Sequence, residues 1–91
     1  MNALVNNSIQ SMTSLEISEL VEKRHDNVKR TIETLVNQGV ISLPQIEDVK
    51  IQRTRREEIT TVYVFTGEQG KRDSIIVVAQ LCPEFTARLV D

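Results

Sequence analysis

The chain has 91 residues, 40% of them hydrophobic and only three aromatic, which allows one small domain with a core of Leu, Ile and Val. So few aromatic residues argue against a single-strand binder that stacks bases on rings. The lone cysteine, Cys82, excludes an internal disulfide, and no Cys or His cluster indicates a metal site, so we expect no cofactor and a cytoplasmic location. There is neither an apolar run of about 18 residues nor a charged-then-apolar leader, so we expect neither a membrane span nor a secretion signal.

The net charge of −2 argues against a uniformly basic nucleic-acid binder, but the charges are unevenly distributed. Glu16, Glu19 and Glu22 make the first part of the domain acidic. Residues 23–30 then hold four basic side chains against one acidic side chain, and residues 50–56 hold four with no acid among them. Two basic clusters on an acidic background indicate a directional electrostatic patch.

A helix-turn-helix is predicted from Thr13 to Gly39, after a flexible arm at residues 1–12 that are small, polar and without a sustained period. Two apolar faces have helical spacing, and a turn of residues 22–24 lies between them. Thr13 and Glu16 are spaced as a capping box that begins the first helix, and Gly39 suits the left-handed position that ends the second. The two faces consist of Leu15, Ile17, Leu20 and Val21 in the first helix and Val28, Ile32, Leu35 and Val36 in the second.

A β-hairpin is predicted after Pro44, since proline forbids a helix at that point and makes the preceding residue extended. Residues 49–52 and 62–65 have the period of two expected of strands. The polar segment 53–58 between them is expected to form the tip of the hairpin. That tip carries Arg53, Arg55 and Arg56.

Two C-terminal helices are predicted in residues 67–91. Thr66 and Gln69 are spaced as a second capping box, and the polar run that follows favours a helix. Residues 74–78 are rich in Ile and Val and also fit a buried strand, so this alternative stays open. Cys82 and Pro83 indicate a stop and a new helix start, with Phe85, Leu89 and Val90 facing inward on the last helix. Because that helix meets the end of the chain without a cap, we expect a domain of something longer.

A helix-turn-helix followed directly by a hairpin with a basic tip is the order of parts in a winged-helix domain. The predicted fold class is therefore α+β, a small winged helix-turn-helix domain at residues 13–91 with a β-hairpin wing and C-terminal helices. In that arrangement the second helix enters the major groove. The hairpin lies along the flanking backbone or minor groove, where the planar fork of arginine grips phosphates and fits narrow grooves.

One family resembles this chain. The residues that carry the likeness are Thr13-Ser14-Leu15-Glu16-Ile17-Ser18-Glu19-Leu20 and Lys23-Arg24-His25-Asp26-Asn27-Val28, followed by Arg30 and Ile32 and later by Tyr63-Val64-Phe65-Thr66 before a helix. In these strings the sequence resembles the opening of bacteriophage regulatory proteins of the Rha type. The resemblance covers roughly residues 13–90 and is strongest in 13–35. It implies a phage or prophage regulator acting in a bacterial host cell, with this part as the DNA-binding domain and residues 24–30 as the recognition segment.

Geometry assigns roles to the candidate site residues. Asn27 suits bidentate contact with adenine, and Arg24 or Arg30 suits guanine, because those side chains match the donors and acceptors on base edges. Lys23 and Lys29 fit phosphate contacts, which position a domain without reading sequence. His25 is either a surface or capping residue or a donor to phosphate. The alternative is that this basic run is only a solvated helix face, and that the hairpin arginines only discourage edge-to-edge aggregation.

The leading functional hypothesis is sequence-specific binding of double-stranded DNA by a transcription regulator. Because one helix-turn-helix reads only a few base pairs, a homodimer is expected, with the apolar residues of the last two helices as its interface. The alternative is a protein-interaction module such as an antirepressor that captures a phage or host regulatory protein through the same face. An enzyme is not expected, because there is no paired-carboxylate pocket, activated nucleophile or glycine-rich phosphate loop.

Overall fold

The computed structural model describes residues 11–53 and 56–84. Within these residues the chain forms a small compact α+β fold with three helices and a three-stranded antiparallel sheet. Along the chain come β1 (Ser11–Thr13), α1 (Ser14–Val21), α2 (His25–Asn37), β2 (Gln45–Arg53), β3 (Arg56–Thr66) and α3 (Gly67–Leu81). The α+β class predicted from the sequence is therefore confirmed.

The predicted start of the first helix is confirmed. The Glu16 N–H donates to Thr13 Oγ1 at 3.1 Å, and the Thr13 N–H donates to Glu16 Oε1 at 2.8 Å, so each side chain satisfies a backbone donor of the other residue. Glu22 ends α1 with a left-handed backbone (φ 58°), and the chain turns within residues 22–24. The second helix begins immediately afterwards at His25.

Gly39 ends the second helix as predicted. Its φ is +77°, a conformation that residues with a Cβ rarely adopt. The Gly39 N–H donates to the Val36 carbonyl at 3.0 Å, and the Val40 N–H donates to the Leu35 carbonyl at 2.9 Å. These two bonds form a Schellman motif, which satisfies carbonyl groups left free at a helix end.

The predicted flexible arm is wrong at its C-terminal end. Ser11 and Met12 belong to β1, which pairs antiparallel with β3 so that Ser11 lies opposite Thr66 and Met12 opposite Phe65. The strand has only three residues and its partner lies more than fifty residues away along the chain, so no local pattern signals it. The rest of the predicted arm, residues 1–10, lies outside the described residues.

The predicted hairpin is present, but its strands are longer than expected. They extend until Arg53 lies opposite Arg56, so Glu57 and Glu58 pair with Gln52 and Ile51 instead of lying in a loop. The predicted six-residue tip at 53–58 is therefore wrong, and only residues 54 and 55 separate the strands. Exposed charged residues are compatible with a strand when its backbone is paired, so polarity alone did not mark a loop.

The core lies between the helices and one face of the sheet. Ile17 of α1, Val28 and Ile32 of α2 and Val77 of α3 are fully buried and pack in one cluster with Tyr63 and Phe65 of β3. On the opposite face of β3, Val62 and Val64 are buried as well. The strand β3 is therefore buried on both faces over residues 62–65, which explains its continuous apolar run.

The helical interpretation of residues 67–81 is confirmed, and the strand alternative is excluded. The predicted capping box is wrong, because Thr66 makes no side-chain cap bond and Gln69 donates along the helix to Asp73 Oδ1 at 3.0 Å. Cys82 caps the C-terminus of α3, so the predicted stop is confirmed. Most of the predicted last helix, with Phe85, Leu89 and Val90, lies outside the described residues.

Helix α3 approaches β3 closely at Gly70. A Cβ placed there would lie 2.7 Å from the backbone carbonyl carbon of Phe65, closer than carbon atoms tolerate. The helices of residues 11–53 and 56–84 include none with both the length and the apolar character needed to cross a membrane.

Candidate nucleic-acid interface

Helix α2 separates its side chains into a buried stripe and an exposed arc. Val28, Ile32 and Leu35 are buried at a spacing of three and four residues, which turns the opposite side of the helix to solvent. The exposed arc is entirely polar, so it is available for a partner without leaving an apolar surface in the free protein. Its members are Asp26, Asn27, Arg30, Glu33, Thr34 and Asn37.

Four of the six residues predicted around α2 are exposed. Lys23 and Arg24 lie just before the helix, and Asn27 and Arg30 lie on its exposed arc. Arg24 Nε is 3.6 Å from Asp26 Oδ1, with both side chains mostly exposed, so this ion pair contributes little to stability. These four residues are exposed, which the roles predicted for them require.

His25 is turned inward instead. Its Nε2 lies 2.8 Å from the hydroxyl oxygen of Ser14, a residue with no exposed surface. That oxygen also accepts a hydrogen bond from the Tyr63 N–H at 3.0 Å. A single hydroxyl thus connects the first residue of α1, the first residue of α2 and the central strand. The Nε2 atom of His25 is therefore hydrogen-bonded within the fold and is not free to donate to a phosphate.

The surroundings of His25 favour a neutral imidazole. When the Ser14 oxygen accepts from Tyr63, its own hydrogen can be donated to His25 Nε2, provided that Nε2 carries no hydrogen. The pKa of His25 is lowered from its ordinary value of 6.5 by burial of the ring, with a further decrease from the nearby charge of Lys29 and a smaller opposing effect of Asp26. Burial and the charge of Lys29 thus both favour the uncharged ring.

Lys29 is half-buried on the side of α2 that faces the sheet. Its Nζ donates to the backbone carbonyl of Thr61 in β3 at 3.1 Å. The phosphate role predicted for this lysine would require it to exchange that bond, which is exposed to solvent. In this structure the bond from Lys29 to Thr61 attaches α2 to the hairpin.

A second attachment was not predicted. The Tyr63 hydroxyl donates to Glu33 Oε2 at 2.8 Å, which joins the core strand to the exposed arc of α2. Burial raises the pKa of the Tyr63 phenol above its usual 10.0, and the hydrogen bond and negative charge of Glu33 raise it further. The sequence offered no signal for this pair, because the two residues are thirty positions apart.

Sequence reasoning also missed Thr34 and Asn37. They follow Asn27 and Arg30 on the exposed arc, at positions i+7 and i+10 from Asn27. The signal was present, since the helical period that placed Val28 in the core places these residues on the opposite side. They extend the exposed arc by a further turn.

The hairpin arginines are only partly described. Arg56 is exposed at the start of β3, and the backbone of Arg53 lies opposite it at the end of β2. Arg55 lies outside the described residues. In the described part of the chain, no three His, Cys, Asp or Glu side chains lie close enough together to hold a metal ion.

Comparisons with family models, curated proteins and solved structures found no match to this chain.

Proposed function

We propose that this chain is a sequence-specific double-stranded DNA-binding domain of the winged helix-turn-helix type, and that it belongs to a phage or prophage transcription regulator of the Rha type. In this proposal α2 enters the major groove and the β2–β3 hairpin lies on the flanking backbone or minor groove. The regulatory role comes from the sequence resemblance. The exposed surface of α2 supports the DNA contact.

The observation that carries the proposal is the exposed arc of α2. Its first turns present Asn27 and Arg30, whose side chains match the acceptor and donor edges of adenine and guanine in the major groove. Exposed Lys23 and Arg24 directly precede the N-terminus of α2, where contacts with phosphates would fix the position of the helix along the DNA. The opposite side of α2 is buried against the rest of the domain, so only this arc is available to a groove.

The arrangement of the strands supports the winged-helix assignment. The short strand β1 precedes the helix pair and joins the far side of β3, while β2 and β3 form a long hairpin directly after the second helix. The bond from Lys29 to Thr61 and the bond from Tyr63 to Glu33 attach α2 to that hairpin. A fixed angle between the two elements is what simultaneous groove and flank contacts require.

Selection of bound sequences from a random pool of duplexes tests this function. A reproducible motif of a few base pairs per copy supports it, and recovery of unrelated sequences at the level of nonspecific background contradicts it. Titration of the selected duplex at several salt concentrations adds the second criterion. Affinity for DNA should fall with a slope of about 0.9 per phosphate contacted on logarithmic axes.

A second candidate function is capture of another regulatory protein, and one observation favours it. Asp26 and Glu33 lie on the same exposed arc as Arg30, so this surface carries two acids and one base. A protein partner with a basic surface would suit such an arc, while phosphates would be repelled by its acids. The duplex selection separates the two functions, because a domain that captures only a protein partner would yield no reproducible DNA motif.

A further inference from the structure

Strand β2 forms one edge of the sheet. The strand order is β1-β3-β2, and within residues 11–53 and 56–84 no strand pairs with the outer side of β2. The strand has nine residues and no proline or glycine, and the described side chains along it are exposed except for half-buried Val49 and Ile51. Such an edge presents a long row of backbone donors and acceptors to another strand.

The charges along β2 are separated by sign. Glu47 and Asp48 lie before its midpoint, and Lys50 lies after it. Charges on an edge strand normally discourage pairing, but this effect depends on what lies opposite them. In a parallel, in-register pair of identical strands, each charge would face its own copy and repel it. In an antiparallel pair, the acidic half of one strand faces the basic half of the other.

Symmetry selects the register of such a pair. A twofold axis perpendicular to the sheet keeps each face continuous across the join, and it places one residue opposite its own copy. With Asp48 or Lys50 on the axis, like charges meet. With Val49 on the axis, two apolar side chains meet, and Asp48 faces Lys50 of the second copy on both sides of the axis. This register also overlaps the full nine residues of the strand.

We propose that β2 pairs antiparallel with β2 of a second copy of this chain, centred on Val49, to give a continuous six-stranded sheet. Within each copy the Thr61 hydroxyl donates to Asp48 Oδ1 at 2.9 Å, a bond on the face of the sheet that Asp48 shares with Lys50. The proposal does not rest on DNA binding and is tested without DNA. It also differs from the interface through the C-terminal helices that the sequence suggested.

The proposed dimer keeps both α2 helices on one side of the sheet. Tyr63, which contacts α2 through Glu33, lies on the same face of the hairpin as Asp48 and Lys50, because opposite and alternate residues share a face. The axis preserves that face in both copies. Strand spacing and rise place the two Tyr63 backbones about 25 Å apart. Two exposed arcs would then face one partner surface together.

Charge exchange tests the pairing in the full chain. Asp48→Lys and Lys50→Asp each create like-charge pairs, so sedimentation equilibrium should show the dimer dissociation constant rising at least about tenfold. The double exchange restores opposite charges and should return the constant close to that of the unmodified chain. Thr61→Val removes the same internal bond as Asp48→Lys but keeps the charge, and it should leave the dimer intact.

Cross-linking tests the register in a Cys82→Ser background, which removes the native thiol. Val49→Cys should form a disulfide-linked dimer under mild oxidation, because the residue faces its own copy. Gln45→Cys is the matched control, since in this register it lies far from its copy and should not cross-link.

Three results would overturn the proposal: a chain that remains monomeric up to its solubility limit, a dimer unaffected by both single exchanges, or a dimer disrupted by Ile75→Asp on α3 but not by Asp48→Lys.

Discussion

The hydroxyl oxygen of Ser14 lies 2.8 Å from Nε2 of His25 and 3.0 Å from the backbone nitrogen of Tyr63. Substitution of Ser14 by Ala should remove the acceptor for a buried N–H and cost about 1–3 kcal/mol of unfolding free energy. Urea unfolding followed by circular dichroism measures the loss. Ser11→Ala is the control, because that serine is exposed, and a loss of equal size in both variants would contradict the role of the hydroxyl.

The same contact predicts a dependence of stability on pH. Because the pKa of His25 is lowered in the folded protein, the unfolded chain binds its proton more readily. The stabilising contribution is therefore complete above pH 6.5 and is lost as the pH falls through the lower pKa of the folded state. Unfolding free energies measured across this range should decrease toward acid in the unmodified chain and less so in His25→Gln. Parallel curves for the two proteins would show that another group is responsible.

Base reading by the exposed arc predicts a selective loss of DNA affinity. Arg30→Ala should weaken binding to the selected duplex by about 1–3 kcal/mol and relax the preference at one position of the motif. Mobility-shift titrations of the selected duplex and of single-base variants measure both effects. Lys71→Ala on α3 removes one positive charge from an exposed position outside α2, and it should leave the preference unchanged. An equal change in both variants would show that the loss of affinity comes only from the change in net charge.

Phosphate contact by Lys23 and Arg24 predicts a different signature. Substitution of either residue by Ala should weaken binding to all duplexes by a similar factor and reduce the salt slope by about 1. Titrations at several salt concentrations provide the slope. If the salt slope stays the same after both substitutions, neither residue contacts phosphate.

The close approach of α3 to β3 predicts the sign of one substitution. Gly→Ala inside a helix ordinarily stabilises by up to about 1 kcal/mol. At Gly70, however, the new methyl group would collide with the Phe65 backbone, which cannot move aside as a flexible side chain can. We expect Gly70→Ala to destabilise the domain by about 1–3 kcal/mol instead. Thermal unfolding of the Gly70→Ala variant measures the effect, with Gln80→Ala, at an exposed position on the same helix, as the control. A stabilised Gly70 variant would contradict the observed packing.

The single tyrosine gives a direct spectroscopic prediction. Tyr63 is the only phenol in the chain, so ultraviolet absorbance reports its ionisation without interference from another tyrosine. The phenol should ionise above pH 10.0, and its pKa should fall when Glu33 is replaced by Gln, because the neutral amide removes a nearby negative charge. An unchanged pKa in Glu33→Gln would leave burial as the only cause of the shift.

The helix pair could be predicted from the sequence because its signals are local. The Thr13–Glu16 capping box joins residues three positions apart, and Val28 and Ile32 are four positions apart. The glycine that ends α2 is a signal in a single residue. The strand β1 could not be predicted, because three residues contain no period and gain their structure only from β3. The full length of the hairpin could not be predicted, because charged residues are typical of loops. In the structure, backbone pairing continues through Glu57 and Glu58.

The candidate site was predictable in position but not in detail. The helical period that buries Val28 exposes Asn27 and Arg30, and the same period places Thr34 and Asn37 on the exposed arc. The inward orientation of His25 depends on Ser14, eleven residues earlier, and the bond of Lys29 depends on a carbonyl thirty-two residues later. Such contacts are set by how the elements pack, so the residue type alone suggested a surface role for both.

The burial of β3 on both faces over residues 62–65 also determines how the domain opens. Amide hydrogens in this segment should exchange with solvent more slowly than those elsewhere, because releasing them requires separation of the sheet from the packed helices. Exchange at the three-residue β1 should be fast by comparison, since that strand can detach while the remainder stays closed. The order of protection would then run from the centre of the sheet outward to its shortest strand.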